Sequence, residues 1–287
     1  MNINNSVDYS GLIPNIKQSY IMKNKKIAII GGGNLGQAIA NGLINSEIIP
    51  AANLTVTRRR TNLLASLKEL GVNTISDNKE AVKEADIIFL GVKPYQIQQI
   101  IEEISPEVND NAIIISLATG IDSLEIEKHF GKELAIFRAM PNTAIAIGQS
   151  MTCISSHNAT EEQDKIVLAL FEQVGQALII PEELMASATV LAACGIAFAL
   201  RFVRAATQGG IEIGFGAELA LKIASQTVKG AADLLINAGT HPEHEIDKVT
   251  TPRGVTISGL NEMEHQGFSS SLIKGLLTSF NKIENGK

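Results

Sequence analysis

Over the first 180 residues apolar side chains fall into short continuous runs; beyond them they follow long helical periods. The runs are 27–30, 54–57, 87–92, 113–116, 135–137, 151–154 and 177–180. Their hydrophobicity is continuous rather than alternating, which predicts strands covered on both faces, as in a parallel sheet. Amphipathic stretches at 35–46, 61–70, 95–104, 122–130 and 160–175 lie between them and predict helices. Strand–helix alternation of this kind predicts an α/β fold with a doubly wound sheet. After Pro181 the β-branched runs disappear. Helical patterns cover 183–208, 217–238, 256–265 and 269–284, punctuated by Gly209-Gly210, Gly239 and Pro252. The expected organisation is an extension over 1–22, an α/β domain over 23–180 and an all-helical domain over 181–287.

Composition narrows the class. The chain has 287 residues, with 45% hydrophobic and 19% charged, which suits two packed domains. Lys and Arg total 24 against 30 Asp and Glu, a net charge of -6. That balance gives no global attraction for phosphate polymers and disfavours a nucleic-acid partner. Cys153 and Cys194 are the only cysteines, so neither a disulfide framework nor a thiolate zinc site is expected, and a reducing cytoplasm is the simplest compartment. Residues 1–21 lack the apolar core of a secretory signal. Leu184 to Leu200 is a 17-residue low-charge stretch, short of the ~20 residues of a membrane span and rich in Ala, and is read as a buried helix. The helical half carries so many apolar faces that a second subunit is expected to complete its core.

The strongest motif is Gly31-Gly32-Gly33-Asn34-Leu35-Gly36, which follows a strand run and opens a helical one. In that context a GxGxxG spacing reads as a dinucleotide-binding turn. Gly31 permits the tight turn, Gly33 lets the backbone approach a diphosphate, and Gly36 lets the helix pack on the sheet. The unpaired amides at the helix start then face the phosphates. An NAD site usually has an acidic residue about 20 positions further on. Here the next strand reads Leu54-Thr55-Val56-Thr57 and runs into Arg58-Arg59-Arg60. Arg58 and Arg59 suit a 2′-phosphate, so NADPH is the expected cofactor, with NADH as the alternative donor. Two later strand ends, Gly91-Val92-Lys93-Pro94 and Ser116-Leu117-Ala118-Thr119-Gly120, fall where open parallel sheets bind ligands. Asn142 and Thr143, after Pro141, are read as lining the same cleft, with a turn cap as the alternative.

These segments, with Arg138-Ala139-Met140-Pro141-Asn142-Thr143 and the run from His241-Pro242 to Ile257, resemble pyrroline-5-carboxylate reductase over about residues 25–285. The resemblance implies a Rossmann domain followed by a helical dimerisation domain, as a homodimer or a decamer of five dimers. It implies NAD(P)H-dependent reduction of 1-pyrroline-5-carboxylate to L-proline, the last step of proline biosynthesis. By motif match, Gly31, Gly33, Asn34, Leu35, Arg58, Asn78, Val92, Lys93, Pro94, Ala118 and Thr119 fall on cofactor-contacting positions. Gly254, Val255 and Thr256 fall on the substrate loop.

That loop also has a physical reading. Pro252 precedes a helical pattern, so the amides of Gly254, Val255 and Thr256 are expected to be unpaired and suited to a carboxylate. The Thr256 hydroxyl would reach the ring nitrogen and is the catalytic candidate, with a helix cap as its alternative role. The chain departs from the family where Ser-Gly-Ser-Gly-Pro-Ala-Tyr is common, reading Ala192-Ala193-Cys194-Gly195-Ile196-Ala197-Phe198. It also reads Pro252-Arg253-Gly254-Val255-Thr256 where Pro-Gly-Gly-Thr-Thr is usual. A related imine or β-hydroxyacid oxidoreductase shares this plan, but the latter needs a lysine that 184–204 lacks. A non-catalytic NADP-binding protein of reductase ancestry is the alternative from another class. No metal site is expected: His241-Pro242-Glu243-His244-Glu245 reads as a solvated helix start, and the charged segment Glu102 to Asp110 as a solvated helix end.

Overall fold

The protein, seen here as a computed structural model, is described over residues 22–285. The extension read over 1–22 lies outside the described residues except for Met22, which packs into the core. The chain divides into two compact units, with the boundary between Ala193 and Cys194.

The first unit is built on one eight-stranded sheet. Its strands are β1 (Ile27–Ile30), β2 (Leu54–Thr57), β3 (Asn73–Ile75), β4 (Ile87–Leu90), β5 (Ile113–Ser116), β6 (Ala135–Met140), β7 (Ser150–His157) and β8 (Gly175–Ile179). Their order across the sheet is β3-β2-β1-β4-β5-β6-β7-β8. The first six are parallel in the dinucleotide-fold order, with the direction of winding reversing between β1 and β4. The sheet is mostly parallel, as the doubly wound pattern implies, with one exception: β7 runs antiparallel to β6, and β8 then pairs parallel to β7. Burial cannot report direction. Residues of β7 are covered like those of a parallel strand, but Pro141 to Gln149 is a short turn that returns the chain beside β6.

Two apolar layers cover the sheet. Helix α1 (Asn34–Asn45) lies with Ile27, Ile29, Val56, Ile87 and Phe89 on one face. The opposite layer joins Ala28, Ile30, Ile88, Leu90, Ile114 and Ile136 to α4 (Ile97–Ile104) and α5 (Ser123–Phe130). Between these, α2 (Ala65–Glu69) and α3 (Asn78–Val82) are single turns beside β2 and β3. Helix α6 (Glu161–Glu172) supplies Phe171, whose ring meets Phe89 edge-on at 6.0 Å and 67°. After β8 come α7 (Met185–Ala188) and a π-helical turn over Thr189–Cys194.

The second unit is all-helical: α8 (Gly195–Glu212), α9 (Ala217–Ala238), α10 (Pro242–Val249), α11 (Val255–His265) and α12 (Phe268–Glu284). Phe202 of α8 and Phe268 of α12 meet edge-on at 6.1 Å. Among the described residues, Ala220 is the one buried apolar residue of this unit. Within one chain, Leu184 to Leu200 is therefore not the buried helix expected from its composition. Helical turns run from Glu182 to Glu212, long and apolar enough by length and composition to cross a membrane, and 11% of their most apolar window is buried. One copy of the chain leaves these faces uncovered.

A candidate nucleotide site at the strand ends

Gly31 follows β1 with φ +109°, and a Cβ there would lie 2.6 Å from the Gly91 carbonyl oxygen at the end of β4. The turn thus sits where the winding reverses, the usual ligand crevice of such sheets. A Cβ on Gly36 would lie 2.4 Å from the Gly31 carbonyl oxygen, so only glycine lets α1 start this close to the turn. A Cβ on Gly33 would meet nothing within 4 Å, which makes Gly33 the open side of the turn.

The turn's own amides are spent inside it. Gly31 N–H donates to Thr57 Oγ1 at 3.3 Å, Gly32 N–H to the Thr57 carbonyl at 2.7 Å, and Gly33 N–H to the Gly31 carbonyl at 2.8 Å. The Asn34 and Leu35 amides come next, in the open first turn of α1. Gly33 caps that helix without a side-chain bond, and its first turn carries no acidic residue. The positive end of α1 is therefore left for an anion. The residues fit a dinucleotide diphosphate on these grounds.

Arg58 follows β2, and its Nη1 donates to the Gly32 carbonyl at 2.9 Å, so the guanidinium lies along the rim of the turn. Arg59 and Arg60 are exposed beside it. Asn78 opens α3, where its Oδ1 accepts from the Thr57 hydroxyl at 2.7 Å. Val92 borders the turn: its Cγ1 would lie 3.0 Å from a Cβ on Gly31. Lys93 and Pro94 are exposed after it, Pro94 opening a 3₁₀ turn. Ala118 is buried, its N–H donating to Ser116 Oγ at 3.3 Å, and Thr119 is exposed. Gly31, Gly33, Asn34, Leu35, Arg58, Asn78 and Val92 thus gather around one strand-end crevice, with Ala118 and Thr119 following β5 at the same edge.

Asn142 caps the 3₁₀ turn over Thr143–Ile147. Its Oδ1 accepts from Ala144 N–H at 3.0 Å, and its Nδ2 donates to the Ala192 carbonyl in the π-helical turn at 3.3 Å. Glu103, read as part of a solvated helix end, is half-buried and takes the Asn78 amide nitrogen at 3.3 Å. Thr57 and Glu103 are two members of this site that motif reading missed. No signal in the sequence couples them.

In the second unit α11 begins at Val255, with Gly254 as its N-cap and no side-chain cap. The expected set of three free amides is corrected to exclude Gly254, whose N–H donates to the Thr251 carbonyl at 2.9 Å. Val255 and Thr256 occupy the open first turn, and Val255 is 91% exposed. Thr256 is inside the helix, so it does not serve as its cap. Arg253 adopts φ +62°, a left-handed conformation usually held by glycine. His241 caps α10 through a bond from Glu243 N–H at 3.3 Å, in keeping with the helix-start reading.

Comparison with known proteins accounts for both units. Residues 26–120 match a family model described as NADP oxidoreductase coenzyme F420-dependent, and 182–285 match one described as pyrroline-5-carboxylate reductase dimerisation. Pyrroline-5-carboxylate reductase 2 of Dictyostelium discoideum is 43% identical over 91% of this chain and 93% of its own length. The chain belongs to the pyrroline-5-carboxylate reductase family. Pyrroline-5-carboxylate reductase 1 of the same organism is 45% identical, and this chain spans about half its length, 49%. Among solved structures, the NADP-bound pyrroline carboxylate reductase of Plasmodium falciparum matches with a TM-score of 0.83 at 26% identity, covering 92% of this chain and 98% of that one. The reductase of Coxiella burnetii matches with a TM-score of 0.84 at 29% identity, covering 91% of this chain and 98% of that one. The Ala192–Phe198 segment begins in the π-helical turn that Asn142 fastens.

Proposed function

We propose that this chain reduces 1-pyrroline-5-carboxylate to L-proline, the closing step of proline biosynthesis, with NADPH as hydride donor. Near full-length identity of 43% to a pyrroline-5-carboxylate reductase carries the reading. A nucleotide turn whose neighbouring strand ends in arginines rather than a carboxylate supports the choice of cofactor. When bound, NADPH supplies the hydride that goes to the imine carbon.

The protein's own part is to bind and orient. The Asn34 and Leu35 amides hold the diphosphate, which approaches over the open Gly33. Arg58 and Arg59 hold the 2′-phosphate, and Asn78 sits beside them. Val92, Lys93, Pro94, Ala118 and Thr119 border the rest of the dinucleotide. The amides of Val255 and Thr256 receive the substrate carboxylate. The Thr256 hydroxyl holds the ring nitrogen, to which the second hydrogen comes as a proton. A protonated imine accepts hydride readily, so orientation contributes more than strong acid catalysis. The working unit is a homo-oligomer built on the 182–285 dimerisation domain, with five dimers in a decamer as its full assembly. Cys153 and Cys194 are free thiols, in keeping with a cytoplasmic location.

The test is oxidation of NADPH by the purified chain with synthetic 1-pyrroline-5-carboxylate, with proline as the product. Tight NADPH binding without turnover would favour the non-catalytic alternative. Turnover only with a six-membered or substituted imine would move the substrate within the class.

A further inference from the structure

We propose that Glu103 and Thr57 are positioning residues for the nucleotide: a one-way hydrogen-bond relay, Glu103–Asn78–Thr57–Gly31, locks the glycine turn in its binding geometry. This deepens the cofactor reading above and rests on it.

The direction of the relay follows from donor and acceptor chemistry. An ionised carboxylate can only accept, so Glu103 requires a donor facing it. Asn78 Nδ2 is that donor, lying 3.3 and 3.5 Å from the two carboxylate oxygens. The amide orientation is then fixed, and Asn78 Oδ1 must point the other way. There it accepts from the Thr57 hydroxyl at 2.7 Å. With its proton committed to Asn78, Thr57 Oγ1 has only lone pairs left, and one of them accepts the Gly31 N–H at 3.3 Å. The Thr57 carbonyl holds the next amide, that of Gly32, at 2.7 Å. Thr57 is 2% exposed, so water does not compete for its hydroxyl.

The relay decides which amides are offered to a ligand. Gly31 and Gly32 are turned inward toward β2, which leaves Asn34 and Leu35 as the next amides outward. A threonine able to point its proton at Gly31 would repel that N–H and loosen the turn. Glu103 removes that option from two side chains away. The end of β2 also stays free of carboxylate, since the charge that organises it sits on α4, behind an amide that screens it from a 2′-phosphate.

The experiment is fluorescence titration of NADPH and steady-state kinetics with the full chain and four variants: Thr57→Val, Thr57→Ser, Glu103→Gln and Thr57→Val/Glu103→Gln. Loss of the Thr57 hydroxyl bonds should raise the NADPH dissociation constant and its KM about fivefold in Thr57→Val; Glu103→Gln keeps an acceptor oxygen but no longer forbids the reversed Asn78 amide, and should raise both by a smaller factor, about two- to threefold. The KM for the imine and kcat at saturating NADPH should not change. Thr57→Ser keeps the hydroxyl and should bind within about twofold of wild type. In the double variant the two losses should not add, because one relay is broken twice. Wild-type-like NADPH binding in both single valine and glutamine variants overturns the relay. So does a Thr57→Ser variant as weak as Thr57→Val, additive losses, or an equal fall in kcat with no change in KM. A wild-type chain that binds no NADPH overturns the cofactor reading itself, and the relay with it. Glu103→Gln lies at the half-buried end of the relay and keeps the test alive if Thr57→Val fails to fold.

Discussion

Three glycines show how a single residue acts at this site. Gly31 needs a positive φ, Gly36 needs contact with the Gly31 carbonyl, and Gly33 needs an open face. All three demands act within six residues, which is why the spacing was readable before any tertiary structure. Gly36→Ala would bring a methyl group to 2.4 Å from a backbone oxygen. We expect α1 to shift and the NADPH dissociation constant to rise at least about tenfold, read by titration. Arg58→Ala/Arg59→Ala should raise the dissociation constant for NADPH about ten- to a hundredfold and leave that for NADH within a few-fold. Equal losses for both cofactors would remove the arginines from 2′-phosphate recognition. Thr256→Ala should lower turnover of the imine about tenfold or more with NADPH binding unchanged; unchanged turnover would take Thr256 out of the mechanism. Glu103 was not readable in this way. It lies in a charged stretch that looks like any solvated helix end, and only the β3–α3–β4–α4 crossover carries it back beside Asn78.

At the level of elements, one carboxylate ties several of them together. Arg138 of β6 is 8% exposed at its side chain, and its Nη1 donates to Glu182 Oε1 at 2.6 Å. Ser155 of β7 donates its hydroxyl to the same carboxylate. The backbone N–H and hydroxyl of Ser123, at the start of α5, each donate to it at 3.3 Å. Glu182 thereby joins β6, β7 and α5 to the first turn of the helical run that follows β8. Burial opposes its ionisation, but the bonds from Ser155 and Arg138 outweigh it and hold the carboxyl below its ordinary range. A carboxyl lowered on folding adds stability that is fully present above its unfolded pKa, about 4.3, and lost as pH falls through the folded value. Glu182→Gln should therefore cost about 1–3 kcal/mol in a urea titration at neutral pH, less than for a fully buried pair because Glu182 is part-exposed. The gap between wild type and variant should close as the pH falls below 4. A gap that is constant across that range would show that charge is not what the variant removes. Arg138 was visible in the sequence as part of a motif, and its partner was not, because the bond spans β7, α6 and β8.

For the molecule as a whole, the second unit has apolar side chains in abundance and nearly all of them uncovered. Leu234 and Ile236 of α9 are 54% and 78% exposed, and Ile273 of α12 is 56% exposed. Apolar exposure of this extent, in a unit that matches the family's dimerisation model, is covered in solution by another chain. Light scattering should give a mass at least twice that of one chain, and a monomer at assay concentrations would contradict the oligomer. Much of the architecture was determined by sequence alone: the strand runs, the glycine turn, the arginines after β2 and the change to helices after Pro181 all depend on neighbours within a few turns. Periodicity and steric demand are local quantities, so a linear pattern records them. The tertiary structure decided what depends on direction and distance. It turned β7 antiparallel, spent the Gly254 and Asn142 hydrogen bonds inside the fold, left the long apolar helix uncovered and brought Glu103 behind the glycine turn. Those outcomes follow from which strand lies beside which, and hydrogen bonds between residues far apart in the chain leave no periodic trace in it.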